Sequence, residues 1–510
     1  MNKLLYFIFI LIIFSTTSCK KDFLVLYPEG SINEGNFYKT TSDFQQAVVG
    51  AYVPLRDVAT YAFYMEEMRS DNTEYDYNFK DRGGAGYEQL GDFLDVSSNA
   101  VLSNVWSANY KGIQRTNVIL DRISTITSVI SDADKNQITG EAKALRAHYY
   151  FELVRCFGSV PLYLHEVKDN SSAFINRSSV DSVYNQIISD FSDALSLLSA
   201  PAKFPQSGAM TKGTVATELG LVYLTRKDYA KATPLLLSVT KMGYDLLPNY
   251  EDVFKLGNKN SKESIFEVQY KAGTDGQQSA FIYKFIPVTP NTTNILGVNF
   301  NNTVGGFNVP TDDIVAAYEP GDKRLDASIA VAKGKYNTNV DFMADSVVSI
   351  LHPATLGSVS KMFIKKYYNK PYGLQNNTDD NWPLYRYADV LLMLAESLNE
   401  QGNSSDALPY LNKVRYRAGL LDATSTDQTT LRSIISHERR VELAFENHRW
   451  FDLVRTGQAI SVMNAFGVLQ KIKYSYILPA AYNVTQNRLI YAIPYRETQV
   501  NPNLGQNLDY

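Results

Sequence analysis

The chain has 510 residues, of which 45% are apolar and 20% charged, and carries a formal net charge of -4. That length and apolar share suffice for a large buried core in one domain or several, and the lack of any basic excess argues against a nucleic-acid partner. Aromatic residues stand out, with 35 tyrosines and 25 phenylalanines. Tyrosine suits sites that stack and hydrogen-bond a polar ligand at once, although most rings in a helical core serve packing.

Lys3, the apolar run from Leu4 to Phe14 and the small residues Ser15 to Ser18 lead to Cys19. The run has the length of a signal-peptide apolar region and is too short to span a membrane. Small residues ending at a cysteine resemble a bacterial lipobox, with Thr16 where leucine is usual. This implies a signal peptide over 1–18 and lipidation of Cys19, and Lys20-Lys21-Asp22 resembles the tag of surface-exported lipoproteins. Cys156 is then left alone, which excludes a disulfide framework and suits a buried small hydrophobe. Ser42 or Asp43 can cap a helix carrying Phe44, Ala47, Val48 and Tyr52. Residues 60–100 are aromatic, acidic and aperiodic, and read as a long loop or irregular layer. Gly83-Gly84-x-Gly86 lacks the preceding strand and the Gly-Lys-Ser of a phosphate cradle.

Helical periodicity returns from Trp106 and again over 141–158, where Gly158 supplies a stop ahead of Pro161. An internal repeat follows. Leu219, Gly220, Tyr223, Ala232, Leu236 and Val239 correspond to Leu394, Ala395, Leu398, Ala407, Leu411 and Val414, at one constant offset of 175 residues. Small residues fall where paired helices must approach, which is the tetratricopeptide pattern. Asp228 and Ser404 can cap the second helices, and Gly243 and Gly419 lie near their ends. Residues 245–380 separate the repeats without helical register, with short strand-like runs such as 264–270.

The stretch from Ser436 to Gly457 has apolar residues at three- and four-residue steps and predicts one helix, begun at Ser436 and stopped by Gly457. Glu438, Glu442 and Glu446 share one face and need cations, which Arg439 and Arg449 are spaced to supply. His437, Glu438, Glu442 and His448 do not have His-Glu-x-x-His spacing, so an ion-pair network is the better reading than a metal or acid/base site.

Glu438-Arg439-Arg440-x-Glu442-Leu443-Ala444-Phe445-Glu446, followed by His448-Arg449-Trp450-Phe451-Asp452, resembles the C-terminal signature of the SusD/RagB family of outer-membrane nutrient-binding lipoproteins. The tail residues Pro494, Glu497, Asn501, Pro502, Asn503, Leu504, Gln506, Asn507 and Tyr510 match the family ending. Opening stretch and helices add to the likeness, which is weak over 60–100 and 245–380. The expected fold is mostly α: a TPR-like helical repeat scaffold with a large irregular loop-rich layer and a few short strands. After residues 1–18, one SusD-like domain spans 19–510, with an N-terminal part to about 230, an insertion over about 245–380 and a C-terminal part from about 381.

The resemblance implies a non-enzymatic binder of glycan, or in some branches peptide. It is held at the outer membrane by a lipid anchor and sits as a hinged lid on a SusC-like TonB-dependent transporter. Neither a cofactor nor a metal is expected. Two other classes compete. A glycoside hydrolase needs two carboxylates about 5–10 Å apart, for which Asp71/Asp76 or Asp312/Asp313 are candidates, but no nucleophile elbow, metal motif or nucleotide loop appears. A TPR adaptor would dock protein only. The expected ligand site lies on residues 61–87, where Tyr75 and Tyr77 alternate with Glu74 and Asp76 and so face one side when extended. Arg69, Asp71 and Asn72 stand within reach of sugar hydroxyls, with help from Trp106, Asn109 and the 281–310 loop.

Overall fold

The computed structural model describes residues 37–126, 130–352 and 356–510. The signal-peptide stretch 1–18 and Cys19 lie outside the described residues.

Helix α1 (Thr41–Tyr52) is capped not by Ser42 or Asp43 but by Thr40. Thr40 Oγ1 accepts from the Asp43 amide at 3.2 Å while the Asp43 carboxylate accepts from the Thr40 amide at 2.8 Å, so both orphan donors are met. Helix α2 (Pro54–Glu66) opens on a proline whose missing N–H would have had no partner there. It runs through the start of the stretch expected to be loop. Several of the aromatic residues that suggested an irregular layer belong to the core: Tyr64 stacks on Tyr87 at 4.2 Å and Phe63 meets Phe285 edge-on at 5.2 Å.

Helices α3 (Ala100–Thr125) and α4 (Asp132–Phe157) pack together, and Gly158 closes α4 at a φ of 72°. At Gly112 a Cβ would stand 2.2 Å from the buried Tyr149 ring, so the absent side chain sets how closely α3 and α4 approach. Cys156, adjacent in α4, is a free buried thiol. Helix α5 (Val180–Leu197) packs on α4.

The repeat is present as two helix pairs, α6 (Lys212–Thr225) with α7 (Tyr229–Val239), and α8 (Tyr387–Glu400) with α9 (Ser404–Ala418). Leu236 of α7 presses on Gly220 of α6, where a Cβ would meet it at 2.8 Å. Asp228 caps α7 by accepting from the Lys231 amide. Ser404 does not cap α9: its hydroxyl donates to Asn399 Oδ1 at 2.7 Å, and Asn403 precedes the helix. The pairs stack directly, α7 against α8, with the Thr233 and Ser397 hydroxyls 2.7 Å apart.

The intervening residues form the loop-rich layer. Its strands, with one earlier partner, are β1 (Thr73–Glu74), β2 (Ser264–Val268), β3 (Val309–Pro310), β4 (Ile329–Tyr336), β5 (Phe342–Ser349), β6 (Val359–Ile364) and β7 (Trp382–Arg386). They pair antiparallel as β1–β3, β2–β7 and a three-stranded sheet β5–β4–β6. One face of that sheet covers a small second core with Ile282, Tyr283, Ile295 and Phe363.

The stretch expected as one helix from Ser436 to Gly457 is two. Helix α10 (Gln428–Glu442) is capped by Asp427, and α11 (Arg449–Arg455) follows a turn in which Phe445 and Asn447 take φ of 69° and 70°. The Glu67 carboxylate holds that turn, accepting from both amides at 2.9 Å. Helix α12 (Ala459–Lys473) follows, and the tail after it carries the short helix Tyr495–Val500 and returns Tyr491 and Ile493 to the core.

The three carboxylates do lie in an ion-pair network, but its cations come from elsewhere in the chain. Glu438 meets Arg324 at 2.6 Å and Arg415 at 2.8 Å. Glu442 meets Arg324, Arg386 and Arg417 at 3.1, 3.0 and 2.5 Å, and Glu446 meets Arg386 and Lys366 at 2.6 Å each. Arg439 instead binds Asp389 and Asp452, and Arg449 binds Asp71. Burial alone would raise the Glu442 carboxyl, yet the Arg417, Arg386 and Arg324 guanidiniums hold it well below the usual carboxylate range.

Two outcomes follow for stability. Gly112→Val should cost about 1–3 kcal/mol by overpacking against Tyr149, read as a lower denaturant midpoint. Arg386→Ala leaves three buried carboxylates short of a partner and should cost about 3–5 kcal/mol. Because the Glu442 pKa is depressed on folding, its contribution is complete above the ordinary carboxylate pKa of about 4.3 and is lost progressively as pH falls from there through the far lower folded value. Melting curves for wild type and the Arg386 variant should therefore draw closer from pH 7 to pH 3 without meeting.

Candidate functional site

Residues 67–82 leave α2 and reach the surface, and the structure divides the expected ligand residues by their place on this path. Arg69 is wholly buried: it donates to Asp95 at 2.7 Å, to the Leu90 carbonyl and to the Arg488 carbonyl. Its guanidinium lies 4.2 Å from the ring centres of Phe93 and Tyr491. Asp71 accepts from Arg449 through both oxygens at 2.8 and 2.9 Å. Asn72 is buried, accepting from Arg440 at 2.9 Å and donating to Glu67 at 3.0 Å. These three are corrected from ligand contacts to mounting, because they are buried and bonded to protein partners. Asn109 is likewise buried, its amide donating to the Val105 carbonyl one turn back. Trp106 is also buried and borders a cleft of about 560 Å³ with Tyr110, Tyr163 and Phe174, which shares no residue with the Tyr77 surface.

Beyond the mounting, β1 pairs with β3 from the 281–310 loop region, and the Asp76 amide donates to the Gly306 carbonyl at 2.7 Å. The extended backbone puts Tyr75 and Tyr77 on one side, as alternation requires: both rings meet Tyr476, at 5.9 and 4.4 Å. Their depths differ. Tyr75 is 6% exposed and donates to Asp92 at 2.9 Å, so it is corrected to a packing residue. Burial pushes the Asp92 carboxyl up to about 7. Tyr77 is 38% exposed and stacks on Tyr476 within 17° of parallel.

Tyr476 in turn stacks on Tyr474, 5.1 Å away at 26°, giving a row of three rings. The Arg82 guanidinium lies 4.1 Å over Tyr77, and Lys473 Nζ 4.9 Å over Tyr474. Phe79 is 62% exposed on the same loop, and Tyr336 at the end of β4 is 50% exposed. Lys80 ties the loop to the β4–β5 turn through the Asn339 carbonyl and Asp341. The row is a partly open aromatic shelf edged by charged groups. Such a surface can lie along the C–H faces of a sugar ring while polar neighbours pair with its hydroxyls.

Sequence reasoning missed Tyr474 and Tyr476. The signal was available, since Tyr474-Ser475-Tyr476 repeats the spacing of Tyr75-Asp76-Tyr77, but the two segments lie about 400 positions apart.

A family model described as the SusD family matches residues 262–510, and a second, described as starch-binding associating with outer membrane, matches 30–224. The chain belongs to the SusD family. It is 27% identical to SusD-like protein P25 of Formosa agariphila over 97% of this chain and 96% of that one. It is 23% identical to the starch-binding protein SusD of Bacteroides thetaiotaomicron, over 78% of this chain and 76% of that one. Among solved structures, a laminarin-binding SusD-like protein superimposes with a TM-score of 0.73 at 26% identity, covering 93% of this chain and all of that one. The mostly helical, repeat-based SusD fold expected from the sequence is the fold observed.

Two substitutions in this SusD-family shelf should separate packing from binding. Tyr75→Phe removes the donor to a buried carboxyl and should lower stability by about 1–3 kcal/mol without changing ligand affinity. Tyr77→Ala should leave the melting temperature nearly unchanged and weaken ligand binding by about 1–2 kcal/mol. Calorimetric titration alongside thermal melts reads both.

Proposed function

We propose that this protein captures oligosaccharide at the outer face of the outer membrane, without cleaving it, and delivers it to a partner TonB-dependent barrel transporter. The observation that carries the reading is the row Tyr77–Tyr476–Tyr474, partly open to solvent and stacked in register. The starch- and laminarin-binding relatives support glycan as the ligand class, and the family description supports outer-membrane association. Attachment is assigned to acyl chains on Cys19, on the strength of the lipobox-like run that precedes it; among the described residues no helix is long and apolar enough to cross a membrane. In this reading one domain spans 19–510, its 245–380 layer bracing the site.

The carboxylates weighed for hydrolysis favour binding over catalysis. Asp71 is held by Arg449 and Arg440, Asp76 by Lys361, Asp312 by Lys473 and Asp313 by Arg440. A general acid needs a raised pKa and a free approach to the glycosidic oxygen. Asp71 is instead shifted down: burial would raise its carboxyl, but the hydrogen bond and charge of Arg449 outweigh it.

Calorimetry of the full chain in detergent with glucan hexasaccharides and with peptides tests the ligand class. Binding of hexasaccharide with no reducing sugar released over hours is the expected result. Peptide binding alone, or sugar release, overturns the proposal. Anchoring is read separately: Cys19→Ala should abolish metabolic labelling by a fatty-acid analogue, because no other membrane attachment is assigned.

A further inference from the structure

The charged groups around the tyrosine row carry a second message, which rests on the glycan reading above. Among the described residues, four cations contact the row or residues 76–82 around Tyr77, and each already has a carboxylate. Arg82 grips Glu88 through both guanidinium nitrogens, one pair at 2.8 Å, and the Glu88 side chain is only 8% exposed. Lys361 is paired with Asp76, and Lys80 with Asp341. Lys473 lies 2.8 Å from Asp312 and 3.3 Å from Glu74. Five carboxylates therefore face four cations.

From this we propose that the shelf selects uncharged oligosaccharide and rejects glycan bearing uronate or sulfate. An anionic sugar would have to displace a built-in carboxylate from its cation while facing the remaining acids. It would also lie on aromatic faces whose π potential is itself negative. A neutral sugar meets neither obstacle. Its hydroxyls can donate to the carboxylate lone pairs and accept from ammonium protons that the ion pairs leave over, and its C–H faces suit the rings.

The test is affinity electrophoresis of the full chain in detergent, through gels holding laminarin, starch or galactomannan on one side and polygalacturonate, alginate or sulfated laminarin on the other. Retardation by a neutral polymer, lost in Tyr77→Ala and absent with every charged polymer, is the expected result. Retardation by a charged polymer that Tyr77→Ala abolishes overturns the inference while leaving glycan binding intact. If neither group retards the wild type, the glycan reading itself fails, and this inference with it. A paired variant probes the cause. Asp76→Asn with Asp341→Asn frees Lys361 and Lys80 and should confer salt-sensitive retardation by polygalacturonate that the wild type lacks. No gain with the charged polymer would show that the paired carboxylates are not what excludes anions.

Discussion

Glu442 and the cations around it are the constraint on which the rest of the molecule depends. Its carboxylate is wholly buried and touched by Arg324, Arg386 and Arg417, which come from the loop-rich layer, from the end of β7 and from α9. A buried ion pair stabilises little beyond an apolar replacement, but removing one partner is costly because the other is stranded. The arrangement therefore acts mainly as a joint. Glu263 extends it to the start of β2, and Lys366, 2.6 Å from both Glu446 and the Ala444 carbonyl, extends it to the segment after β6.

From that joint the order passes outward to the aromatic row. The turn after α10 is fixed by Glu67, which also accepts from Asn72. Arg440 and Arg449, on either side of the turn, hold Asn72 and Asp71. Thr311 adds a second grip, its amide donating to the Asn72 carbonyl and its hydroxyl to the Asp71 carbonyl. At the next residue, Thr73, β1 begins, and Tyr75 and Tyr77 follow with their direction already set. The rings are positioned by backbone anchored at several points, which is how a surface loop keeps a geometry that stacking requires.

What the sequence disclosed follows from the range of the interactions. The paired repeats were legible because their pattern lies within about thirty residues on each side, and small residues mark close helix approach. The alternation of Tyr75 and Tyr77 was legible for the same reason, being a property of extended backbone alone. The break at Phe445 and Asn447 was not, because local periodicity favours continuing the helix and the carboxylate that interrupts it belongs to Glu67. Arg69, Asp71 and Asn72 looked like ligand contacts because polar residues beside tyrosines have the composition of a binding surface. Only their partners, far along the chain, reveal them as supports. Tyr474 and Tyr476 escaped notice for the complementary reason, since the stacking that joins them to Tyr77 is purely tertiary.

The contact between Asp71 and Arg449 has a consequence for biosynthesis. Its residues are 378 positions apart, and Glu67 reaches across a similar distance to the turn before α11. Contacts of such sequence separation close a very long loop and form late. As the chain emerges, the early helices can pack while the segment bearing Tyr77 stays unmoored. Its ring row is completed only when residues 440–476 arrive. A chain interrupted before that point lacks Glu442, Glu446 and two of the three rings, so the row proposed to capture ligand exists only in molecules whose synthesis has run almost to the end.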